Sequence, residues 1–453
     1  MTGPKIAMVG GGSVNWGPGL VRDILSVDEL ASAEIRLLDL DRKAAELVAE
    51  VGRRCARQWG LGVRFTATTD TQRALDGADA VIITISTGGL DAMTHDLGIP
   101  EAYAIFQTVG DTVGPGGWAR GLRNIPVFVG LAREISRCCP RAAVLNYTNP
   151  MGTLTKTLAL LTKQPVVGLC HGLFECYHHL MKIFKLDREE EIRARYCGIN
   201  HFFWILDFTV RGKPGYRALA RKLAGGKRLD DLLREAYVDE AGHSSPRRLV
   251  TSELFETFGY LPYFGDRHTC EFFGRYITGD KQELKKHHLH RTTIAERRRL
   301  RQRARATAER LARGKGELCR SRSRETAADI AAARWTGREF VDVMNLPNNG
   351  QVSNLPAGAV VETPGIASAS GFSAVACGEM PSALVAVTMP HVVNQELIVE
   401  AGIEGDLGKA FAALVNDPAC SHLSVAQVKD MGRKLLEAHR QYLPQFFGRR
   451  RRP

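Results

Sequence analysis

The sequence predicts an α/β fold: an N-terminal, Rossmann-type doubly wound parallel sheet followed by a C-terminal mixed α/β domain. Two observations predict it. Short apolar runs alternate with helical stretches through the first 195 residues, and the first run passes at once into a glycine-rich turn.

Lys5-Ile6-Ala7-Met8-Val9 is the first strand, Gly10-Gly11-Gly12-Ser13-Val14-Asn15-Trp16-Gly17 the turn, and residues 18–25 the helix that follows. Glycines there let backbone N–H groups approach a pyrophosphate at a helix N-terminus, where the dipole favours anions. Gly10, Gly12, Ser13, Val14 and Asn15 are therefore the expected cofactor contacts. Asn15 stands where such turns commonly place a third glycine, which predicts looser packing of the helix on the sheet. The second strand, 34–38, ends at Asp39, a carboxylate suited to the ribose hydroxyls of NAD and unsuited to a 2′-phosphate.

The pattern continues with helix 42–59, strand 63–68, helix 71–75 and strand 80–85, which opens into Ser86-Thr87-Gly88-Gly89. Helix 124–138, strand 142–145, the loop Asn146-Tyr147-Thr148-Asn149-Pro150 and strand 165–169 complete the half. Ligands of such sheets bind beyond the carboxyl ends of the strands. Thr87, Gly88, Asn146, Asn149, Cys170 and His171 are thus expected around one crevice. The expected division is 1–195 for the NAD-binding domain and 196–453 for a catalytic, substrate and oligomerisation domain.

Cys170 and His201 each follow a short apolar run where a strand should end. Thiolate plus imidazole suits zinc, iron, cobalt or manganese, so a divalent transition metal beside the nicotinamide is one reading. Two buried core residues are the other.

Composition narrows the class. The 453 residues are 44% hydrophobic and 24% charged, ordinary for a globular chain. Ten scattered cysteines without a CxxC pair argue for a reducing compartment over a disulfide framework. No signal-like N-terminus is visible and no segment approaches 18 uncharged apolar residues, so a cytoplasmic location is expected. The net charge of +12 is local: residues 281–324 carry 16 Lys or Arg against four Glu, and Arg449–Arg452 close the chain. The first stretch has helical pattern with a weak stripe of Leu300, Ala304, Ala308 and Leu311. No aromatics interleave with its arginines, so a solvated face or subunit contact is favoured over nucleic-acid binding.

Several stretches together resemble one family closely: GGGSVNW at 10–16, LLDLD at 37–41, QTVGDTVGPGGWARGLRNIP at 107–126, NYTNP at 146–150, GLCHG at 168–172, GINH at 198–201, GDRHTCEF at 265–272 and NLPNNGQVSNLP at 345–356. They run in order over nearly the whole chain and resemble glycoside hydrolase family 4, the NAD- and metal-dependent glycosidases. The resemblance implies oxidation of the sugar at carbon 3 by NAD⁺, loss of the carbon-2 proton, departure of the aglycone, water addition and return of the hydride, unlike two-carboxylate hydrolysis. It implies Cys170 and His201 as ligands of Mn²⁺ or another divalent transition metal that polarises the ketone. Asn149 and Asn200 would bind substrate, and His171 would be the leaving-group acid. The carbon-2 base is expected to be Asp266, with Tyr260 and Tyr263 as rivals.

Cys170-His171-Gly172, and the absence of a phosphate-binding arginine in 92–96, are similar to the subgroup acting on unphosphorylated α-galacturonides. The sugar carboxylate would then need Arg120, Arg267 or His268. A homodimer or homotetramer is expected, with no membrane or nucleic-acid partner. The alternatives are an α-galactosidase or α-glucosidase of the same family, a hydroxy-acid dehydrogenase of the lactate and malate type, and a nucleic-acid-binding protein using residues 295–313.

Overall fold

The computed structural model describes residues 3–237 and 247–448, so the basic run Arg449–Arg452 lies outside the described residues. Its strands are β1 (Lys5–Val9), β2 (Glu34–Leu38), β3 (Arg64–Thr68), β4 (Ala80–Ile83), β5 (Ala143–Asn146), β6 (Val166–Gly168), β7 (Ile192–Ile199), β8 (Phe202–Val210), β9 (Lys213–Pro214), β10 (Leu261–Pro262), β11 (Phe340–Pro347), β12 (Val360–Ser368) and β13 (Gly371–Ala374). The first six are ordered β3-β2-β1-β4-β5-β6, all parallel, which is the predicted doubly wound half. β1, β4 and β5 are near-continuous apolar runs because helices cover both of their faces.

The sheet does not stop at β6. Asn345 of β11 pairs antiparallel with Gly168, and the order continues through β12, β7, β8 and β10. One sheet therefore joins residues on either side of position 195. Packing joins them as well: Ala327–Thr336, a helix far along the chain, buries Ala327, Ala328 and Ile330–Ala333 in the same core as Ile6, Leu20 and Val48.

Two expectations need correction. The helix expected over 124–138 starts at Gly114. Its first turns are rich in glycine, which reads as a breaker, yet a Cβ on Gly117 would lie 2.5 Å from the Thr112 carbonyl carbon, so close approach explains the glycine there. Pro115 is tolerated because the first-turn N–H groups have no helical partner. The helix Ser382–Glu404 is long and apolar enough to cross a membrane by length and composition alone, a feature that the expectation of no segment approaching 18 uncharged apolar residues did not single out. It buries Thr388, His391, Asn394 and Gln395 and packs on Gly114–Cys138, as a core helix does. The second correction is that the basic helix Ile294–Ala312 buries Ala308 but leaves Leu300 51% exposed, so the expected stripe is only partly a contact.

Candidate active site

The glycine turn sits on the carboxyl ends of β1 and β2. Gly10 has φ +86°, and a Cβ there would lie 2.5 Å from the Thr84 carbonyl oxygen, so only glycine is compatible. Gly10 and Gly11 donate to the Leu38 carbonyl, both at 2.9 Å, and Gly12 donates to Asp39 Oδ2 at 2.9 Å. Asp39 Oδ1 accepts from Asp41 N at 3.0 Å. The Asp39 carboxylate thus stands at the rim of the cradle formed by Gly12, Ser13 and Val14.

The packing expectation for Asn15 is corrected. Asn15 is exposed, and the close helix approach is made by Gly17, whose Cβ would meet Val48 Cγ1 at 2.9 Å. Opposite the turn, Thr87 N and Oγ1 both donate to Asn124 Oδ1, and Gly88 at φ +76° starts the helix Gly89–Glu101. Asn146 spends its side chain inside its own loop: its amide donates to Thr148 O and Thr155 Oγ1, and its oxygen accepts from Thr148 N. It therefore shapes the Asn149–Pro150 turn and offers no free group to a cofactor.

A second set of groups converges on His201. The donor atoms of Asp111, His201 and His268 all lie within 4.8 Å of one another. The two imidazoles have ring centroids 4.0 Å apart. Burial raises the cost of ionising Asp111, but the charges of His268 and Arg120 outweigh it and hold the carboxyl well below the usual range. Burial, and then the charge of His268, push His201 far down, so its imidazole is neutral, as a metal ligand must be. Asn149 Nδ2 donates to Asp111 Oδ2 at 3.3 Å, and Arg120 Nε to the Asn149 carbonyl at 2.9 Å.

Cys170 lies at the end of β6, its thiol pushed well up by burial and then by Glu362, with the Gly172 N–H and the Asn200 side chain acting against that shift. Asn200 also donates to Glu362 Oε2 at 3.4 Å, and Asn345 to the same oxygen at 2.9 Å. Asn200 Oδ1, Asn345 Oδ1 and Glu362 Oε1 are buried without a protein partner. His171 caps the helix Gly172–Phe184 with its side chain 55% exposed, its Nδ1 3.3 Å from Glu325 Oε1 and its ring 6.4 Å from that of Trp16, on the glycine turn. The Glu325 carboxylate raises the His171 pKa.

The three candidates for the carbon-2 base occupy different places. Asp266 accepts from Val250 N at 2.9 Å, Thr251 N at 3.0 Å and Thr251 Oγ1 at 2.5 Å, which makes it a cap for the helix Leu249–Phe258; burial brings its pKa to about 6. Tyr260 packs edge-on to Tyr216 at 6.3 Å, away from His201. Tyr263 stacks on His201 at 5.9 Å, is 3% exposed, and donates to Glu175 Oε2 at 3.1 Å. Only Tyr263 of the three lies against the imidazole.

Sequence reasoning missed Asp111, Thr112, Glu175, Glu271 and Glu325. Asp111 and Thr112 stand inside 107–126, and Glu271 inside 265–272, so the motifs were visible while the roles were not. Glu271, 1% exposed, gathers the turn before Asp111: Oε1 accepts from Thr108 Oγ1, Val109 N and Gly110 N, and Oε2 from Gln107 Nε2.

The arrangement is a dinucleotide cradle next to a pocket holding a thiol, two imidazoles and an ionised carboxylate. Comparison with known proteins identifies the relatives of this chain. The family described as "Family 4 glycosyl hydrolase" matches residues 5–186, and its C-terminal domain matches 196–420. An alpha-galacturonidase of Bacillus subtilis is 37% identical over 91% of this chain and 93% of its own. A solved Bacillus subtilis structure described as a candidate glucosidase superposes with TM-score 0.86 at 34% identity, covering 96% of this chain and 100% of that one. A 6-phospho-alpha-glucosidase from gut microorganisms, solved with NAD and Mn²⁺, shares the fold at TM-score 0.81 and 20% identity, over 98% and 99% of the two chains.

Proposed function

The chain belongs to the family 4 glycosyl hydrolases, and from that premise we propose that it cleaves an unphosphorylated α-galacturonide with NAD and a divalent transition metal such as Mn²⁺. The observation that carries this reading is the abutment of the Asp39–Gly12 cradle, through Trp16 and His171, on the pocket around His201. The activity of the Bacillus subtilis relative supports the choice of sugar, and the cofactors of the structural neighbour support the choice of helpers.

The residues suit the two groups. Gly10, Gly12, Ser13, Val14 and Asp39 would hold NAD, with Thr87 and Gly88 on the opposite lip. Cys170 and His201 would hold the metal: the Gly172 N–H and the Asn200 side chain favour the thiolate form of Cys170, and the imidazole is neutral. Asp111 and His268 lie beside that imidazole, placed to orient or complete the ligand set. When bound, NAD supplies reversible hydride transfer at carbon 3, and the metal supplies Lewis-acid polarisation of the substrate oxygens.

The chain's own groups do the rest. Asn149 and Asn200 bind sugar hydroxyls, and the unpaired oxygen of Asn200 is free to do so. His171, whose pKa Glu325 raises, gives its proton to the departing glycosidic oxygen at the open side of the pocket. Tyr263 replaces Asp266 as the group that takes the carbon-2 proton, since the Asp266 oxygens are engaged in a helix cap. In the resting site its phenol is protonated, because burial and then Glu175 raise its pKa. A cation held at His201 would oppose that shift and favour the phenolate.

All ten cysteines are free, which supports the cytoplasm as the location. Exposed Trp335 and Val341 support a homo-oligomer. The deciding experiment compares 4-nitrophenyl α-galacturonide, α-galactoside and α-glucoside with NAD⁺, Mn²⁺ and a thiol reductant. Preferred release of nitrophenol from the galacturonide, dependent on both helpers and without accumulating NADH, is expected. Stoichiometric NADH would identify a dehydrogenase instead.

A further inference from the structure

The basic helix Ile294–Ala312 is not only a solvated face. Its N-terminal end and the loop before it lie on the turn that carries Asp111. Arg291 Nε donates to the Gln107 carbonyl at 3.1 Å, and Arg297 Nη2 to the Val109 carbonyl at 3.2 Å. Arg298 and Arg299, next along the helix, are exposed, whereas Arg297 is half-buried. Its charge is opposed first by burial and then held by Asp111, with Arg267 and Arg120 acting against it.

Arg120 and Arg297 thus stand near Asp111, with Arg267 beside Arg297, and among the described residues none of the three makes an ion pair. Arg120 Nε is given to the Asn149 carbonyl, Arg267 Nη2 to Thr292 Oγ1, and Arg297 to the Val109 and Thr292 carbonyls. Arg267 Nε and His268 Nδ1 are buried without a partner. Asp111 spends Oδ1 on the Thr112 hydroxyl and Oδ2 on Asn149. A half-buried excess of forked cationic donors with unfilled hydrogen-bonding positions is suited to an anionic group on the ligand, held in bidentate fashion.

We propose that Arg297, with Arg267, receives the carboxylate on carbon 6 of the sugar, so that Arg297 is a residue that sets the preference for galacturonides over galactosides. This rests on the galacturonide reading given above. It assigns to one arginine of the basic segment a role that the other arginines of that helix, facing solvent, do not share.

The test measures kcat/KM on 4-nitrophenyl α-galacturonide and α-galactoside, and calorimetric affinities for galacturonate, galactose and galactose 6-phosphate, in the wild type, Arg297→Gln and Arg297→Lys, each checked for an unchanged melting profile. The expected result is a fall of about tenfold to hundredfold in both the galacturonide-to-galactoside ratio and the galacturonate-to-galactose affinity ratio in Arg297→Gln, with Arg297→Lys between it and the wild type. Ratios that stay at the wild-type value overturn the proposal, whether activity is kept or lost equally on both substrates; equal loss marks Arg297 as a prop for the Asp111 turn. Tighter wild-type binding of galactose 6-phosphate than of galacturonate also overturns it. A wild type with no preference between galacturonate and galactose fails the underlying substrate reading instead, and that result is visible before any variant is made.

Discussion

The Thr112 hydroxyl and His201 Nδ1 lie 3.0 Å apart, and that one contact sets the state of the imidazole. The hydroxyl has a single proton, which it donates to Asp111 Oδ1 at 2.8 Å. Its oxygen must then accept from Nδ1–H, so Nε2 carries the lone pair available to a metal. Second-shell partners of this kind fix both the tautomer and the ring orientation. Thr112→Val keeps the shape and removes the acceptor. It is expected to weaken Mn²⁺ affinity about tenfold to hundredfold, read by metal titration against a competing chelator. Unchanged affinity would remove Thr112 from any role in the ligand set.

Glu271 makes a prediction about pH. Its carboxylate is pushed up to about 7, first by burial, against the pull of the Val109 and Gly110 N–H groups. An unfolded glutamate titrates near ~4.3, so between those values the folded chain holds a proton that the unfolded chain has lost. This stabilising contribution is full at acid pH, is lost as pH rises through about 7, and is absent above it. Glu271→Gln lacks the linkage and also sets an amide donor against the donors of the turn, costing about 1–3 kcal/mol. The gap in melting temperature between wild type and variant is expected to be wider at pH 5 than at pH 8. A gap that is the same at pH 5 and pH 8 would show that the group is ionised throughout.

Asp39 tests the other half of the site. Asp39→Ala leaves the Gly12 N–H without its acceptor and removes the carboxylate offered to the ribose. Weakening of NAD⁺ binding by about 1–2 kcal/mol, roughly tenfold, is expected from fluorescence titration, with Mn²⁺ affinity unchanged. Equal loss of both affinities would show that the two halves of the crevice are coupled through the turn.

The parallel half was legible because each strand is a local signal: an apolar run, a turn and a helix, readable within a few residues. Asp39, Cys170 and His201 were legible for the same reason, as polar residues at strand ends. What the sequence hid are contacts made across long separations. Thr112 meets His201 from 89 residues away, and Gln107 meets Glu271 from 164. No period or spacing encodes such pairs. The continuation of the sheet from β6 to β11 was hidden likewise, because it rests on one antiparallel pair, Gly168 with Asn345. Asp266 was singled out by type: a buried carboxylate near the expected position invited a catalytic role, and the structure adds that its two N–H partners belong to a helix start.

That placement leads to the last prediction, which separates Asp266 from Tyr263. Asp266→Asn keeps one oxygen for the Leu249–Phe258 helix and loses the second, so a cost of about 0.5–2 kcal/mol in stability is expected. Turnover should fall only modestly, because the lost bonds serve the helix. Tyr263→Phe keeps the ring against His201 and removes the hydroxyl that faces Glu175. It should lose most turnover, and with it the exchange of the carbon-2 proton with deuterated solvent, while NAD⁺ affinity stays as in the wild type. Carbon-2 exchange is the sharper readout, since loss of a leaving-group acid would slow product release and leave exchange intact. If Asp266→Asn stops exchange in a protein that melts normally, while Tyr263→Phe continues to exchange, then Asp266 is the base and its helix contacts must open when substrate binds.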